Sequence, residues 1–124
     1  SVNFNSVDLI VPVPLHPWKL KKRGYNQSEW IAMGMAESMN KQISSNNLFR
    51  KEHTSTQTRK NRFERWQNVE GIFGVNKPEE FSGLHILLID DVITTGSTLE
   101  ACAFQLLKIE NTKVSIATLA FADF

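Results

Sequence analysis

Apolar residues along the chain fall into continuous runs and helix-spaced stripes, separated by polar stretches. Runs at 7–13, 84–89 and 114–121 are nearly unbroken, as in strands of a parallel sheet covered on both faces. The first ends in Pro12-Val13-Pro14, which gives a rigid exit and an edge or terminal position. Ile31, Met35 and Met39 form one stripe, predicting a helix from Asn26 to about Asn40 whose stripe is core packing. Asn26-Gln27-Ser28-Glu29 has cap spacing at its start. Leu99, Cys102, Ala103, Leu106 and Leu107 predict a second buried stripe, on a helix from Ser97 to about Ile109. Short strands are expected at 47–51 and 71–75. Between them, 52–68 is polar and basic with little apolar order, and reads as a mobile loop or irregular hairpin. Residues 15–24 show no useful periodicity and read as a basic loop; 77–83, broken by Pro78, reads as another. Strand–helix–strand units at both ends predict an α/β fold, a mostly parallel twisted sheet flanked by helices.

The central run is the most informative. Ile86-Leu87-Leu88-Ile89 is followed at once by Asp90-Asp91, then by Val92-Ile93-Thr94-Thr95-Gly96-Ser97-Thr98. Open α/β sheets bind ligands at the carboxyl ends of their strands, which is where the two carboxylates emerge. Gly96 allows close approach of a ligand to the main chain. Ser97-Thr98-Leu99-Glu100 has capping-box spacing, so a helix amino terminus with unpaired N–H groups should face the turn and attract phosphate. Two anions beside an anion cradle suit a phosphorylated ribose. Carboxylates accept hydrogen bonds from two neighbouring hydroxyls and recruit Mg²⁺, while the cradle takes the 5-phosphate. An acidic turn that merely caps a helix accounts for Ser97 and Glu100 but not for the adjacent carboxylates. Receiver domains also carry acidic pairs after strands, without this Thr-Thr-Gly-Ser-Thr sequence directly behind them.

At 124 residues the chain is one domain, with ordinary apolar and charged fractions and a net charge of +1. That small net charge hides an asymmetry. Residues 15–69 hold eleven Lys and Arg against four Asp and Glu, and the remainder holds three against nine. A basic segment facing an acidic one suits a polyanion with bound metal. Cys102 is the single cysteine, which excludes disulfides and a cysteine-rich zinc site and reads as a buried thiol. His16, His53 and His85 lack metal-ligand spacing, and His85 reads as structural. No run is long enough for a membrane-crossing helix and no signal peptide is apparent, so a cytoplasmic location is expected. The chain opens on Ser1, and amino-terminal sequence is expected to precede it.

The run from Ile86 to Thr98 closely resembles the phosphoribosyl pyrophosphate (PRPP) binding motif of type I phosphoribosyltransferases. Pro12-Val13-Pro14-Leu15 with Arg23-Gly24-Tyr25-Asn26-Gln27 resembles the start of the phosphoribosyltransferase domain of the ComF family, linked to bacterial competence. Similar elements occur in amidophosphoribosyltransferases. Gln57-Thr58-Arg59, Glu64-Arg65-Trp66-Gln67-Asn68-Val69 and Phe73 also resemble the ComF pattern, so the likeness spans nearly the whole chain. It implies a phosphoribosyltransferase domain over 1–124, from the C-terminal part of a longer protein, with a flexible loop and little or no hood. It implies a Mg²⁺-dependent enzyme transferring ribose 5-phosphate from PRPP to a nitrogen acceptor that the sequence does not identify.

By the same resemblance, Asp90 and Asp91 would meet the ribose hydroxyls, and Thr94, Thr95, Gly96, Ser97 and Thr98 the phosphate. Pro14, Leu15 and His16, with Arg50, Lys51 and Arg59, would meet pyrophosphate. Arg62 and Arg65, with Lys60 nearby, would act from the closing loop, stabilising charge on the departing oxygens. Competence-machinery proteins and a homodimer are possible partners on this reading. Two departures stand out: the amino-terminal zinc region common in ComF proteins is absent, and so is the cysteine nucleophile of the glutamine-dependent enzymes. A second reading is a non-catalytic PRPP or nucleotide sensor, or a DNA-uptake accessory protein. Against nucleic acid, few aromatics interleave with the basic residues. Without the neighbouring Pro-Val-Pro the run Lys19, Lys21, Lys22, Arg23 would read as a solvated surface, and Arg23 before Gly24 is the better placed of them for an anion; Trp18, Trp30 and Trp66 read as packing or partner contacts.

Overall fold

The computed structural model describes residues 4–51, 71–93 and 96–121. Its strands are β1 (Leu9–Pro12), β2 (Gln42–Ile43), β3 (Leu48–Arg50), β4 (Phe73–Val75), β5 (His85–Ile93) and β6 (Lys113–Phe121). Its helices are α1 (Pro17–Arg23), α2 (Gln27–Met39) and α3 (Ser97–Leu107). Strands β1, β2, β5 and β6 form one sheet in the order β2-β1-β5-β6, with every pairing parallel. Strands β3 and β4 form a separate antiparallel pair.

The unbroken apolar runs have the cause that their pattern implies. In β5, Ile86 and Leu88 face a core with Leu9, Val11, Leu48, Phe73, Phe81, Leu99, Cys102 and Leu106. Leu87 and Ile89 face a second core with Val7, Ile10, Ala32 and Ala36. Alternate side chains leave opposite faces of a strand, so a strand covered on both sides has no polar positions to show. Full burial of one Leu or Ile side chain is worth roughly 1.5–3 kcal/mol, and β5 buries four of them in succession.

Helix α2 comes close to the sheet through small residues. Its buried line is Ser28, Ala32 and Ala36, while Ile31, Met35 and Met39 pack half-buried beside it. In α3 the stripe holds at Leu99, Cys102 and Leu106, but Leu107 is exposed and Ala101 is buried instead. The predicted basic loop at 15–24 is largely helical. Pro17 sits in the first turn of α1, His16 Nδ1 accepts the Trp18 amide at 3.0 Å, and Gly24 closes the helix at φ 89°. Its absence from the hydrophobic pattern has a direct reason: α1 buries none of its residues. At the other helix start Gly96, at φ 82°, is the N-cap in place of Ser97, and no side chain caps α3, so the expected capping box does not form.

His85 lies at the opposite end of β5 from the carboxylates. Its ring nitrogens sit 2.9 Å from Ser6 Oγ and 2.7 Å from Ser115 Oγ, and its amide donates to Asp8 Oδ2 at 2.8 Å. This buried polar group is fully partnered, as its structural role requires. Across β3–β4, Gly74 stands opposite Phe49, and a Cβ at 74 would meet Phe49 Cζ at 2.7 Å. Gly74→Val is therefore expected to cost about 1–3 kcal/mol by overpacking. A lowered midpoint in urea would show it, and an unchanged one would mean that Phe49 moves aside freely. Among the described residues no helix is long and apolar enough to cross a membrane.

Candidate functional site

The chain leaves β1 for β2 in one direction and β5 for β6 in the other, so β1 and β5 flank the point where strand order reverses. The carboxyl ends of strands at such a reversal are the usual ligand position in open α/β sheets. From β1, the Val13 amide donates to Ile89 O at 2.8 Å before the chain turns out through half-buried Pro14, Leu15 and His16. Helix α2 begins at the same place. Asn26 Nδ2 donates to Val13 O at 3.1 Å while its Oδ1 accepts the Ser28 amide at 3.0 Å. The cap thereby ties the helix to the exit of β1.

Ser28, itself buried, donates from Oγ to Asp90 Oδ1 at 3.2 Å. The Asp91 amide donates to the same oxygen at 2.9 Å, and Asp91 Oδ1 accepts the Val92 amide at 2.8 Å. Both carboxylates stand inside β5 rather than beyond it, because pairing with β6 continues through Asp90↔Thr118 to Ile93↔Phe121. Thr118 Oγ1 donates to Asp91 O at 3.1 Å and fixes that end of the strand. The pair is held by a sheet, not by a loop.

Burial raises the Asp90 carboxyl above the ordinary carboxylate range, and the adjoining Asp91 carboxyl raises it further. The Asp91 amide and the Ser28 hydroxyl oppose this, and among the described residues no cation is one of the groups acting on Asp90. Two adjoining carboxylates attract a metal ion or hydroxyl donors.

Gly96 opens α3 in the left-handed region with no atom within 4 Å of where a Cβ would stand. Ser97 and Thr98 are exposed in the first turn, where backbone N–H groups lack intrahelical partners. Thr94 and Thr95 lie outside the described residues. So do Arg59, Lys60, Arg62, Arg65 and the whole predicted closing loop.

Arg50, at the end of β3, has a buried Nε without a hydrogen-bond partner among the described residues. Its guanidinium carbon is 5.6 Å from the centre of the Phe73 ring. That charge reaches the buried thiol of Cys102. Burial pushes the thiol far up, the Asp90 charge adds to the effect, and the Arg50 charge opposes it. Asp90 and Arg50 thus both act on one buried point of α3. Cys102 is a protonated core thiol, as its place on the apolar stripe predicts. Lys51 is exposed, with its amide donating to Ile72 O at 2.6 Å.

The sequence pattern marks Asn26 and Ser28 only as cap and helix residues. Their spacing marks a helix start but holds no sign that Ser28 reaches a residue 62 positions away. Among the described residues no three His, Cys, Asp or Glu gather as a protein metal cage. Two carboxylates alone fit Mg²⁺, which commonly keeps water and takes substrate oxygens as its other ligands.

Residues 25–123 match the phosphoribosyl transferase domain family. The chain is 33% identical over 116 residues to Competence protein F of Haemophilus influenzae, covering 93% of this chain and 51% of that one. It is 35% identical over 108 residues to DNA utilization protein YhgH of Salmonella typhimurium, covering 87% and 47%. The chain thus spans about half the length of these curated relatives. Among solved structures, glutamine PRPP amidotransferase from B. subtilis superposes with a TM-score of 0.65 at 19% identity, over 90% of this chain and 22% of that one. Adenine phosphoribosyltransferase from Saccharomyces cerevisiae gives 0.60 at 12% identity, over 95% and 57%. These likenesses establish a shared fold. Sequence match and fold agree that the chain belongs to the phosphoribosyl transferase domain family, with relatives of the ComF type.

Proposed function

We propose that this domain binds PRPP and transfers ribose 5-phosphate to a nitrogen acceptor with release of pyrophosphate. The observation that carries the reading is the carboxylate pair, Asp90 and Asp91, held inside a parallel strand at the strand-order reversal. Asp90 and Asp91 accept the two ribose hydroxyls. Gly96, Ser97 and Thr98, with Thr94 and Thr95, take the 5-phosphate on main-chain amides and hydroxyls. His16 Nδ1 is already committed to capping α1, so Pro14, Leu15 and His16 meet pyrophosphate through the main chain. Arg50 offers its charge from the end of β3, and Arg59, Arg62 and Arg65, which lie outside the described residues, would add theirs.

In the reaction, the bond from the anomeric carbon to a pyrophosphate oxygen breaks and its electron pair leaves with that oxygen. The acceptor nitrogen forms the new bond and loses a proton. Guanidinium groups aimed at the departing oxygens stabilise this state more than the ground state. A carboxylate near the ring stabilises positive charge on the sugar, as in glycoside chemistry. Mg²⁺, when bound, neutralises pyrophosphate charge beside Asp90 and Asp91.

Scanning bases and amines for pyrophosphate release in the presence of PRPP and Mg²⁺ tests the reading. PRPP with Mg²⁺ is expected to raise the melting temperature, and at least one acceptor to give turnover. A shift without turnover on any acceptor would favour a PRPP sensor, and no shift would contradict PRPP binding.

A further inference from the structure

The sheet ends in two unlike edges. Strand β2 is two residues long and leaves little main chain open, whereas β6 at the other edge runs nine residues, Lys113–Phe121. Over that length Lys113 is the single charge and no proline intervenes, so nothing blunts the edge. The Lys113 amide donates to Leu84 O at 3.0 Å, toward β5. Along a parallel ladder, residues bonded to the neighbour alternate with residues whose N–H and C=O both point away, so 114, 116, 118 and 120 present theirs to the open side. Among the described residues, the one bond made there is that from the Thr118 hydroxyl to Ala120 O, at 3.1 Å. Side chains are open too. Ile116 is 44% exposed, and Leu119, on the face of the sheet where α2 packs over β2, β1 and β5, is 71% exposed.

We infer that β6 pairs edge to edge with β6 of a second copy, antiparallel about a two-fold axis at Ala117, joining two sheets into one. Val114 then faces Ala120 of the partner subunit, Ile116 faces Thr118 of the partner subunit, and the symmetry repeats both pairs. Each pair exchanges two N–H···O bonds, so every outward-pointing residue is satisfied at once. An axis at residue 116 or 118 would leave Ala120 or Val114 without a partner in the strand. Side chains agree with this register. Ile116 stands diagonal to its own copy across the axis, apolar against apolar, and the two Ala117 side chains are small enough to meet directly. The two Lys113 residues lie at opposite ends of the pair and do not repel. Each comes instead to the end of the partner sheet that carries the carboxylate pair, cation toward anions. An extended segment of another protein would meet the same main-chain groups, but only a second copy necessarily brings the matching Ile116 and Lys113.

Sedimentation velocity of the protein from about 5 to 500 µM tests this, since a single strand pair is a small interface that should dissociate within that range. The dimer fraction should rise with concentration. Ile116→Lys sets two ammonium groups diagonal across the axis and should raise the dimer dissociation constant at least about tenfold. An unchanged circular dichroism spectrum shows that this variant, at an exposed position, still folds. Single cysteines test the register. Ala117→Cys places two thiols directly opposite in a non-hydrogen-bonded pair, whose Cα atoms lie about 4.5 Å apart, within disulfide reach. Mild oxidation should cross-link it and should spare Leu119→Cys, whose two copies stand well apart along the strands, while the native Cys102 is buried in both. Monomer at every concentration, a dimer indifferent to Ile116→Lys, or Leu119→Cys cross-linking as readily as Ala117→Cys would each overturn the inference. PRPP-induced stabilisation, read separately, reports the sugar-phosphate site and is independent of these results.

Discussion

Replacing Asp90 and Asp91 together by Asn should weaken PRPP–Mg²⁺ binding by at least ~100-fold, since each charge-assisted hydrogen bond contributes about 1.5–3 kcal/mol. The fold should survive, because Asn keeps an oxygen for the bonds that Asp90 Oδ1 accepts from Ser28 Oγ and the Asp91 amide. Titration calorimetry reads the affinity, and an unchanged value would refute the assignment. Stability should move the other way. Asp90 has a raised pKa in the folded state, so folding favours its protonated form. Well below the ordinary carboxylate range it is protonated folded or unfolded and has no effect. As pH rises from the unfolded value through the raised folded value, stability is lost, and the penalty persists at neutral pH. Asp90→Asn alone should therefore melt higher than wild type at neutral pH, and the difference should vanish in acid. A variant less stable than wild type at pH 7 would mean that some cation already compensates the carboxylate. The same penalty is what a ligand would relieve: a carboxylate disfavoured when charged and empty, as at Asp90, is poised to accept hydroxyls and a metal.

Arg50→Met should show the complementary separation. Methionine keeps an unbranched stem beside Phe73 and removes a guanidinium whose buried Nε lacks a partner among the described residues. An unpaired buried polar group costs about 1–3 kcal/mol, so the free protein should be no less stable after the change. PRPP and pyrophosphate should each bind about 10–100-fold more weakly, through loss of a charge-assisted contact. Ribose 5-phosphate, which lacks pyrophosphate, should bind as before. Equal losses for both sugar phosphates would move Arg50 to the 5-phosphate end, and no loss for either would remove it from the site. Thermal shift and calorimetry on the same samples separate the stability and affinity effects.

How much could be read beforehand depends on what leaves a trace in residue order. β5 was legible because burial on both faces removes every polar position from Ile86 to Ile89 and ends abruptly at Asp90. The Asn26 cap was legible because it acts within two residues. Helix α1 was not, because its periodicity would have required a buried face that it lacks. Ser97 was misread as a cap because its spacing to Glu100 fits a local rule, whereas the chain turns at Gly96 through a left-handed conformation. Ser28 and Arg50 illustrate a different limit. One supports Asp90 from across the fold and the other acts on a thiol 52 positions away, and no local pattern encodes such meetings. The exposed Trp18 and Trp30 belong here too, because residue order does not separate a packed ring from a solvated one.

The most direct measurement of the central claim is a structure of the protein with PRPP and Mg²⁺ bound. The account predicts the ribose diol against the side chains of Asp90 and Asp91, the 5-phosphate on the main chain of residues 94–98, and pyrophosphate toward residues 14–16 and Arg50. Density for PRPP elsewhere, or a diol held by other residues while the aspartates pair with arginines of the loop, would contradict it.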